Sequence, residues 1–493
     1  MNITEIVKNL NVERSIGDLT LEIKHLTHHS KDVVTGGAFI ALKGYTVDAH
    51  DFIPDTIAAG AKAIFCNVTY EGPFVEGVTY VFFENTTKAL PTLATNFFEN
   101  PSEALTMIGV TGTNGKTSIT VMLEAMLKAQ KIPTAVIGTI ENRIGDRVYP
   151  TSNTTPDALS LNAFLREAVD AHTSHCLMEV SSHALKLDRV RHIAYDYAVF
   201  TNLTEDHLDF HPDFEDYFKA KAMLFERADK AAIINYDDPY GKRLVDEHMV
   251  VAPVITYGFC EDAMIRVTSV TYSASGTMCH FVTPVGEFEA TICIPGDIYV
   301  MNTMACMGVL IALGGDLTAL KTAISQIKPV RGRLERVGNA NVIVDYAHTP
   351  DALENVIKVV RKFTAGKIIT VFGCGGDRDR KKRPMMGEIA ERLSDIVIVT
   401  SDNPRTEDPE SILDDIFAGI KTNHEAIYRE SDRKKAIGLA IEMMTADDVV
   451  VIAGKGHETY QIVGREKHHF DDAEIARDFI ELKEHSLLDS DVN

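Results

Sequence analysis

The segment Thr111-Gly112-Thr113-Asn114-Gly115-Lys116-Thr117-Ser118 stands between an apolar run, ALTMIGV, and a helix-periodic run, TSITVMLEAMLKAQ. Its glycines let successive backbone N–H groups turn toward an anion, and the helix start adds the positive end of its dipole. Lys116 can neutralise β- and γ-phosphate charge, and the Thr117 hydroxyl can ligate magnesium. The strict Walker spacing would place glycine where Val110 stands, so this is a compact variant of the phosphate loop. A glycine turn with an incidental lysine is the competing reading. The order strand, loop, helix favours nucleotide binding over it.

Magnesium needs further oxygen ligands. Glu179 ends the strand candidate HCLME, where a carboxylate would face a phosphate held on a neighbouring loop; a structural carboxylate before Ser181 and Ser182 is the alternative. His207 follows the strand candidate YDYAVFTNL. Imidazole is an unusual magnesium ligand, so a structural histidine is an equal reading. Lys221 is one of two lysines on an amphipathic segment, YFKAKAMLF, which by itself suggests a solvated side chain.

Three later loops also follow apolar runs. VFGCGGDRDRKKRP carries Arg378, SDNPRTEDP carries Asp402, Asn403, Pro404 and Arg405, and AGKGHETYQ carries Gly454 and Glu458. Arginine, amide and carboxylate groups at neighbouring strand ends could converge on a substrate with both signs of charge. Alternatively Arg405 pairs with Glu407 or Asp408 and merely clasps its own loop.

Positioning these groups calls for an α/β scaffold. At 493 residues the chain is too long for one core, and about three domains are expected. Residues 1–98 read as a small α/β domain with strand candidates AFIALKG and AKAIFCN. Residues 99–330 alternate short apolar runs with amphipathic helices, the signature of a doubly wound parallel sheet; from about Arg266 to Ile294 a period of two suggests appended antiparallel hairpins. Residues 331–493 repeat the rhythm with NVIVDYA, KIITVFG, DIVIVT and DVVVIAG, giving a Rossmann-like third domain. Ligands of such sheets sit outside the carboxyl ends of the strands.

Composition narrows the function classes. Forty-nine basic against seventy-one acidic residues leave a net charge of −22, which repels nucleic acid and anionic membrane surfaces. The N-terminal MNITEIVKNLNVERS has no apolar signal core, no run approaches a membrane span, and seven scattered cysteines form no CxxC pair. A cytosolic protein with buried free thiols is expected, as a monomer with no nucleic-acid partner and no membrane insertion.

In order and spacing, GTNGKTS, MEVSSHAL, NLTEDHLDFH, YFKAKAMLF, RGRLE, DYAHTPDAL and AGKGHETYQ resemble the Mur ligase family over nearly the whole chain. The resemblance implies three domains: one for a UDP end, a central ATPase, and a C-terminal domain that brings an amino acid. It implies ATP-driven amide ligation with Mg2+: a substrate carboxylate forms an acyl phosphate, which an amine then attacks. The acceptor implied is UDP-MurNAc-L-Ala-D-Glu. Asp-Asn-Pro-Arg marks the members that add meso-diaminopimelate, whereas lysine-adding members usually lack this arginine. Lysine addition, or another ATP-dependent carboxylate–amine ligation such as folylpolyglutamate synthesis, is the alternative.

Site residues carry over from the same motifs. Gly112 to Ser118 would cradle ATP phosphates, Glu179 and His207 would ligate the metal, and Lys221 matches a lysine that becomes carbamylated and so offers oxygen to magnesium. Asn302 matches an adenine contact, although Tyr299 stands where the family has a second asparagine; Arg333, Asp345 and His348 match contacts to phosphate and ribose. Asn153, Thr154, Thr155, Ser181 and Arg189 match residues that hold the muramoyl-dipeptide, with turn and cap chemistry as the plain alternative. At the UDP end Ser30 and the loop Gly44–His50 match, but the usual Asp-Ser-Arg reads His29-Ser30-Lys31, and lysine lacks the bidentate fork of arginine. Arg378, Asp402, Asn403, Pro404, Arg405, Gly454 and Glu458 would form the diaminopimelate site, the arginines on its distal carboxylate and Glu458 on its distal ammonium.

Overall fold

The computed structural model describes all residues except 45–46, 152, 208–209, 274–275, 339, 422–425 and 491–493. Tyr45 and Thr46 of the UDP-end loop therefore lie outside the described residues. The chain is α/β and divides into two compact units: Met1–Thr111 with Ile132–Ala198 and Met223–Lys230, and Gly112–Lys131 with Val199–Ala222 and Ala231–Asn493.

In the first unit, a five-stranded sheet runs in the order Arg14–Ile16, Thr79–Phe83, Ala63–Asn67, Ala38–Ile40, Leu26–Thr27. Only its first pair is antiparallel. Both faces are buried. Ala63 and Phe65 pack with Ile40, Val81 and Leu93, while Ile64 and Cys66 pack with Phe39, Tyr80 and Phe82. A strand buried on both faces reads as a continuous apolar run, which is why AKAIFCN was legible without alternation. The same unit holds Thr106–Thr111, His175–Glu179 and Thr134–Ile137 as parallel neighbours in that order, continued by the antiparallel hairpin Asn142–Ile144 and Arg147–Tyr149. The register sets Glu179 opposite Val110.

The second unit contains the phosphate-loop helix Lys116–Ala129 and the strand ending at Asn235, which pairs in parallel with Val254–Gly258. An antiparallel meander follows, Ile265–Ser273, Gly276–Thr283 and Gly286–Ile292, as its period of two predicts. The apolar helix Asp297–Ala312 packs on Lys116–Ala129. A separate six-stranded sheet runs Glu335–Arg336, Val342–Asp345, Val449–Ala453, Ile368–Phe372, Ile396–Val399, Ile427–Arg429. The last strand in sequence is inserted between the first two parallel ones, a switch in strand order that opens a crevice at the carboxyl ends. Those ends release Tyr346–His348, Gly454–Glu458, Gly373–Arg378 and Ser401–Arg405 side by side. Arg433 and Asp472, both fully buried, form a fork at 2.6 and 2.8 Å, and Arg433 also donates to the Ala453 carbonyl at 3.0 Å. This pair fastens two helices to the strand end from which the Gly454 loop leaves.

Five of the seven cysteines are buried, and all seven are free. No helix among the described residues is long and apolar enough to cross a membrane.

Candidate active site

The phosphate loop takes the conformation its glycines allow. Gly112 and Gly115 have φ of +148° and +91°, a region that side chains rarely enter. A Cβ on Gly112 would also collide with the Thr201 hydroxyl, and one on Gly115 would sit 2.9 Å from Asn302 Oδ1. Gly115 caps the helix Lys116–Ala129 with no side chain, so the first helical N–H groups face the loop unaided. Lys116 Nζ donates to the Gly112 and Thr113 carbonyls, both at 2.9 Å, and Thr117 and Ser118 are buried behind it.

Lys221 departs from its amphipathic reading. It is only 1% exposed, lies 4.6 Å over the Tyr217 ring and donates to the Gly112 carbonyl at 2.8 Å. Burial first, then the neighbouring Lys116 charge, holds its amine well below the usual lysine range, against a smaller opposing pull from Asp206. The Tyr217 hydroxyl in turn meets Thr113 Oγ1 at 3.1 Å. His207 has a positive φ of +57°, places Nε2 3.5 Å from Asp206 and stands edge-on to Tyr217. The structure thus gathers Lys116, Lys221 and His207 around one loop.

Next to that loop is a cavity of about 210 Å³ lined by Gly115, Ser118, Asn302, Arg333, Asp345 and Asn355, among others. Among the described residues two of its buried nitrogens, Asn302 Nδ2 and Arg333 Nε, have no hydrogen-bond partner. Such donors are costly to bury alone and suit a ligand that brings acceptors, such as a purine base and phosphate oxygens. Tyr299, the departure from the family pattern, donates its hydroxyl to the Arg333 carbonyl at 2.6 Å and so braces the cavity wall. The Arg333 guanidinium lies 4.7 Å over the Tyr346 ring and makes no ion pair among the described residues. Burial raises the Asp345 carboxyl above its usual range, and it accepts the Leu334 N–H at 2.7 Å. His348 is depressed by burial first and then by Lys382; its Nδ1 lies 2.9 Å from the Tyr346 carbonyl, which assigns the proton to Nδ1 and leaves Nε2 an acceptor.

At the neighbouring strand ends Arg405 sits in the left-handed region, φ +52°. Its N–H donates to Ile462 O at 3.1 Å, its carbonyl accepts from Gly464 at 2.7 Å, and Nη1 reaches the Gly376 carbonyl at 2.8 Å. Among the described residues neither Arg405 nor Arg378 pairs with a carboxylate. The loop clasp fails in detail: Glu407 forks onto Arg383 at 2.8 and 2.9 Å, and Asp408 caps the helix Pro409–Phe417. Asn403 Nδ2 donates to Glu458 Oε2 at 2.8 Å, and Gly454, φ +118°, leaves room for Asp402 Oδ2, which a Cβ would meet at 2.5 Å. The Pro404 carbonyl lies where a Cβ on Gly376 would collide with it.

Sequence reasoning missed Lys455. It is fully buried, and its ammonium holds Glu458 Oε2 at 3.1 Å and Asn403 Oδ1 at 3.2 Å. Its spacing of three from Glu458 in KGHE was the available signal. Glu458 therefore meets any substrate ammonium as a carboxylate already shared with a lysine.

In the first unit, Glu179 is 1% exposed and accepts the Thr139 N–H and hydroxyl at 2.8 and 3.0 Å. Ser181, not Glu179, caps the following short helix. Thr154 meets the Thr139 hydroxyl at 2.9 Å; Thr155 donates to the Glu179 carbonyl and accepts from the Ser181 N–H; Arg189 reaches the Thr155 carbonyl at 3.2 Å. These polar groups are gathered at one strand end, as turn and cap chemistry also requires. The Asn153 carbonyl accepts from Thr151, and Ser30 opens a short 3-10 turn.

Three family models match in sequence: the Mur ligase family catalytic domain over residues 22–94, the Mur ligase middle domain over 110–310, and the Mur ligase glutamate ligase domain over 332–456. The UDP-N-acetylmuramoyl-L-alanyl-D-glutamate--2,6-diaminopimelate ligase of Clostridioides difficile (strain 630) is 43% identical over 97% of this chain and 99% of its own. The like-named protein of Geobacter metallireducens is also 43% identical, over 98% and 99%. Among solved structures, a UDP-N-acetylmuramoyl-L-alanyl-D-glutamate--2,6-diaminopimelate ligase aligns with TM-score 0.69 and 32% identity over 98% of this chain and 99% of that one. MurF from Thermotoga maritima in complex with ADP shares the fold, with TM-score 0.65 and 21% identity over 95% and 98%. From the phosphate loop to the strand-end arginines, the chain belongs to the Mur ligase family.

Proposed function

We propose that this chain is an ATP-dependent ligase that joins meso-diaminopimelate to the D-glutamate γ-carboxylate of UDP-MurNAc-L-Ala-D-Glu. The observation that carries the amino-acid specificity is the pair Arg378 and Arg405, two guanidinium groups at adjacent strand ends without a carboxylate partner among the described residues. A distal carboxylate would satisfy both. Lysine has none, and would leave both guanidinium groups unmatched.

The reaction takes place in two stages. The acceptor carboxylate attacks the γ-phosphorus of ATP and ADP leaves, giving an acyl phosphate. The amine then attacks the acyl carbon, and the tetrahedral intermediate expels phosphate. The protein's task is charge neutralisation and alignment. Lys116 and the loop N–H groups would hold the phosphates, Asn302 the adenine, and Arg333, Asp345 and His348 the phosphate and ribose. Ser30, Asn153, Thr154, Thr155, Ser181 and Arg189 would hold the acceptor. Asn403 and Glu458, steadied by Lys455, would orient the distal amino group.

The donor set fits Mg2+ on one condition. The Thr117 hydroxyl offers hard oxygen, whereas Lys221 as an ammonium can only donate hydrogen bonds; as a carbamate it would supply oxygen. Thr117, His207 and carbamylated Lys221 would then hold the ion, which supplies further neutralisation of phosphate charge. We assign the UDP end to residues 1–98, the ATPase to 99–330 and the amino-acid domain to 331–493 of a cytoplasmic monomer.

Phosphate release with UDP-MurNAc-L-Ala-D-Glu, comparing meso-diaminopimelate, lysine and ornithine, tests the proposal. Turnover confined to diaminopimelate is expected. Equal turnover with lysine would overturn the specificity, and no release with any amine would overturn the reaction.

A further inference from the structure

Arg383 lies in the helix Lys382–Leu393 with its side chain fully buried, away from any surface a substrate could touch. Its guanidinium makes four bonds: Nη2 to Glu407 Oε1 at 2.8 Å and the Gly375 carbonyl at 3.1 Å, and Nη1 to Glu407 Oε2 and Asp415 Oδ2, both at 2.9 Å. Glu407 is two residues from Arg405. Both approach the same glycine turn: Arg405 Nη1 bonds the Gly376 carbonyl at 2.8 Å, and a Cβ on Gly376 would lie 3.3 Å from the Glu407 Cβ. Glu407 thus lies beside the turn that Arg405 bonds, yet its carboxylate is turned to Arg383.

The other acidic groups nearby are diverted as well. Asp415 forks onto Arg380 at 3.1 Å as well as taking Arg383. Asp377 accepts the Thr406 hydroxyl at 2.8 Å and N–H at 3.2 Å, while its own N–H holds Glu407 Oε1 at 2.5 Å. A planar fork can fix a carboxylate in this way, where an ammonium leaves it free to swing.

We infer that Arg383 is a positioning residue for amino-acid selection: by holding Glu407 it keeps Arg405 unpaired and available to a substrate carboxylate. The inference rests on the proposed role of Arg405. It differs from plain structural support because removing Arg383 does harm through what Glu407 then does, so deleting the Glu407 charge cures it.

The test compares Arg383→Met, Glu407→Gln and the double variant in steady-state kinetics and thermal melting. Arg383→Met should raise KM for meso-diaminopimelate by about tenfold or more, the size of one charge-assisted contact, while KM for ATP stays level. Glu407→Gln alone should keep KM near wild type, and the double variant should return KM to within about threefold of it, the coupling that identifies the released carboxylate as the cause. A single variant with unchanged KM, or a double variant no better than the single, would overturn the inference. Should Arg383→Met fail to fold, Arg383→Lys with and without Glu407→Gln makes the same comparison. Failure of the underlying assignment is separate: there, Arg405→Ala itself would keep wild-type KM.

Discussion

Lys116 and Lys221 donate to the same carbonyl oxygen, that of Gly112, at 2.9 and 2.8 Å. Two ammonium groups cannot share one oxygen in a buried place without cost, and burial together with the Lys116 charge holds the Lys221 amine well below the usual lysine range. An unprotonated amine can add CO2, forming the N–C bond of a carbamate and releasing one proton. That places an anion beside Lys116. Protein equilibrated with 13C-bicarbonate should show one carbamate carbon resonance that Lys221→Arg lacks, and this variant should lose about a hundredfold or more in turnover while remaining folded. A wild-type spectrum without the resonance would exclude the modification.

Arg405→Ala should raise KM for meso-diaminopimelate by about thirtyfold or more, on the scale of a lost charge-assisted hydrogen bond, with a melting temperature close to wild type. Among the described residues its guanidinium makes one hydrogen bond, to the Gly376 carbonyl, so little native structure depends on it. Relative turnover of lysine should rise, because one unmatched cation is gone from its path. Retained affinity together with retained discrimination would remove Arg405 from the site.

These residues were legible to different degrees, for physical reasons. The phosphate loop and strand-end loops stand out in sequence because buried parallel strands are short apolar runs that end at glycine or polar residues. Lys221 was not legible. Lys219 and Lys221 lie on nearly opposite sides of one helix, and only the fold decides that Lys219 is solvated while Lys221 is buried. The same holds in DRDRKKRP, where Arg380 stays at the surface and Arg383 turns inward. Which basic residue does so depends on where Glu407 and Asp415 arrive, 24 and 32 residues after Arg383. Strands of two residues, Leu26–Thr27 and Glu335–Arg336, are too short to show any period.

The Arg433–Asp472 pair should be a point of structural rather than catalytic failure. Both side chains are fully buried, so Arg433→Met strands a carboxylate in the core and should cost about 3–5 kcal/mol. Arg433→Met with Asp472→Leu should recover much of that loss, since no charge is then left unpaired. Urea unfolding followed by circular dichroism measures both. A double variant as unstable as the single would show that the hydrogen bonds to Ala453 and Ser401, rather than the charge, are what matters.

The Arg383–Glu407 fork also predicts a pH signature. The Arg383 hydrogen bonds, more than any other influence, depress the Glu407 carboxyl from its ordinary 4.5 to about 2. A carboxyl with a depressed folded-state pKa contributes stability that is fully present above its unfolded value and is lost as pH falls toward the folded one. The window is therefore from about pH 4.5 down to about 2, and nothing should change between pH 6 and 8. Other carboxylates titrate in the same range, so the informative quantity is the melting-temperature difference between wild type and Glu407→Gln. That difference should be constant from pH 8 to about 5.5 and shrink steadily from about pH 4.5 to 3, as protonation takes from wild type the charge the variant never had. A difference that persists undiminished at pH 3 would mean that Glu407 gains its stability from packing and neutral hydrogen bonds, and that the fork on Arg383 carries no ionic share.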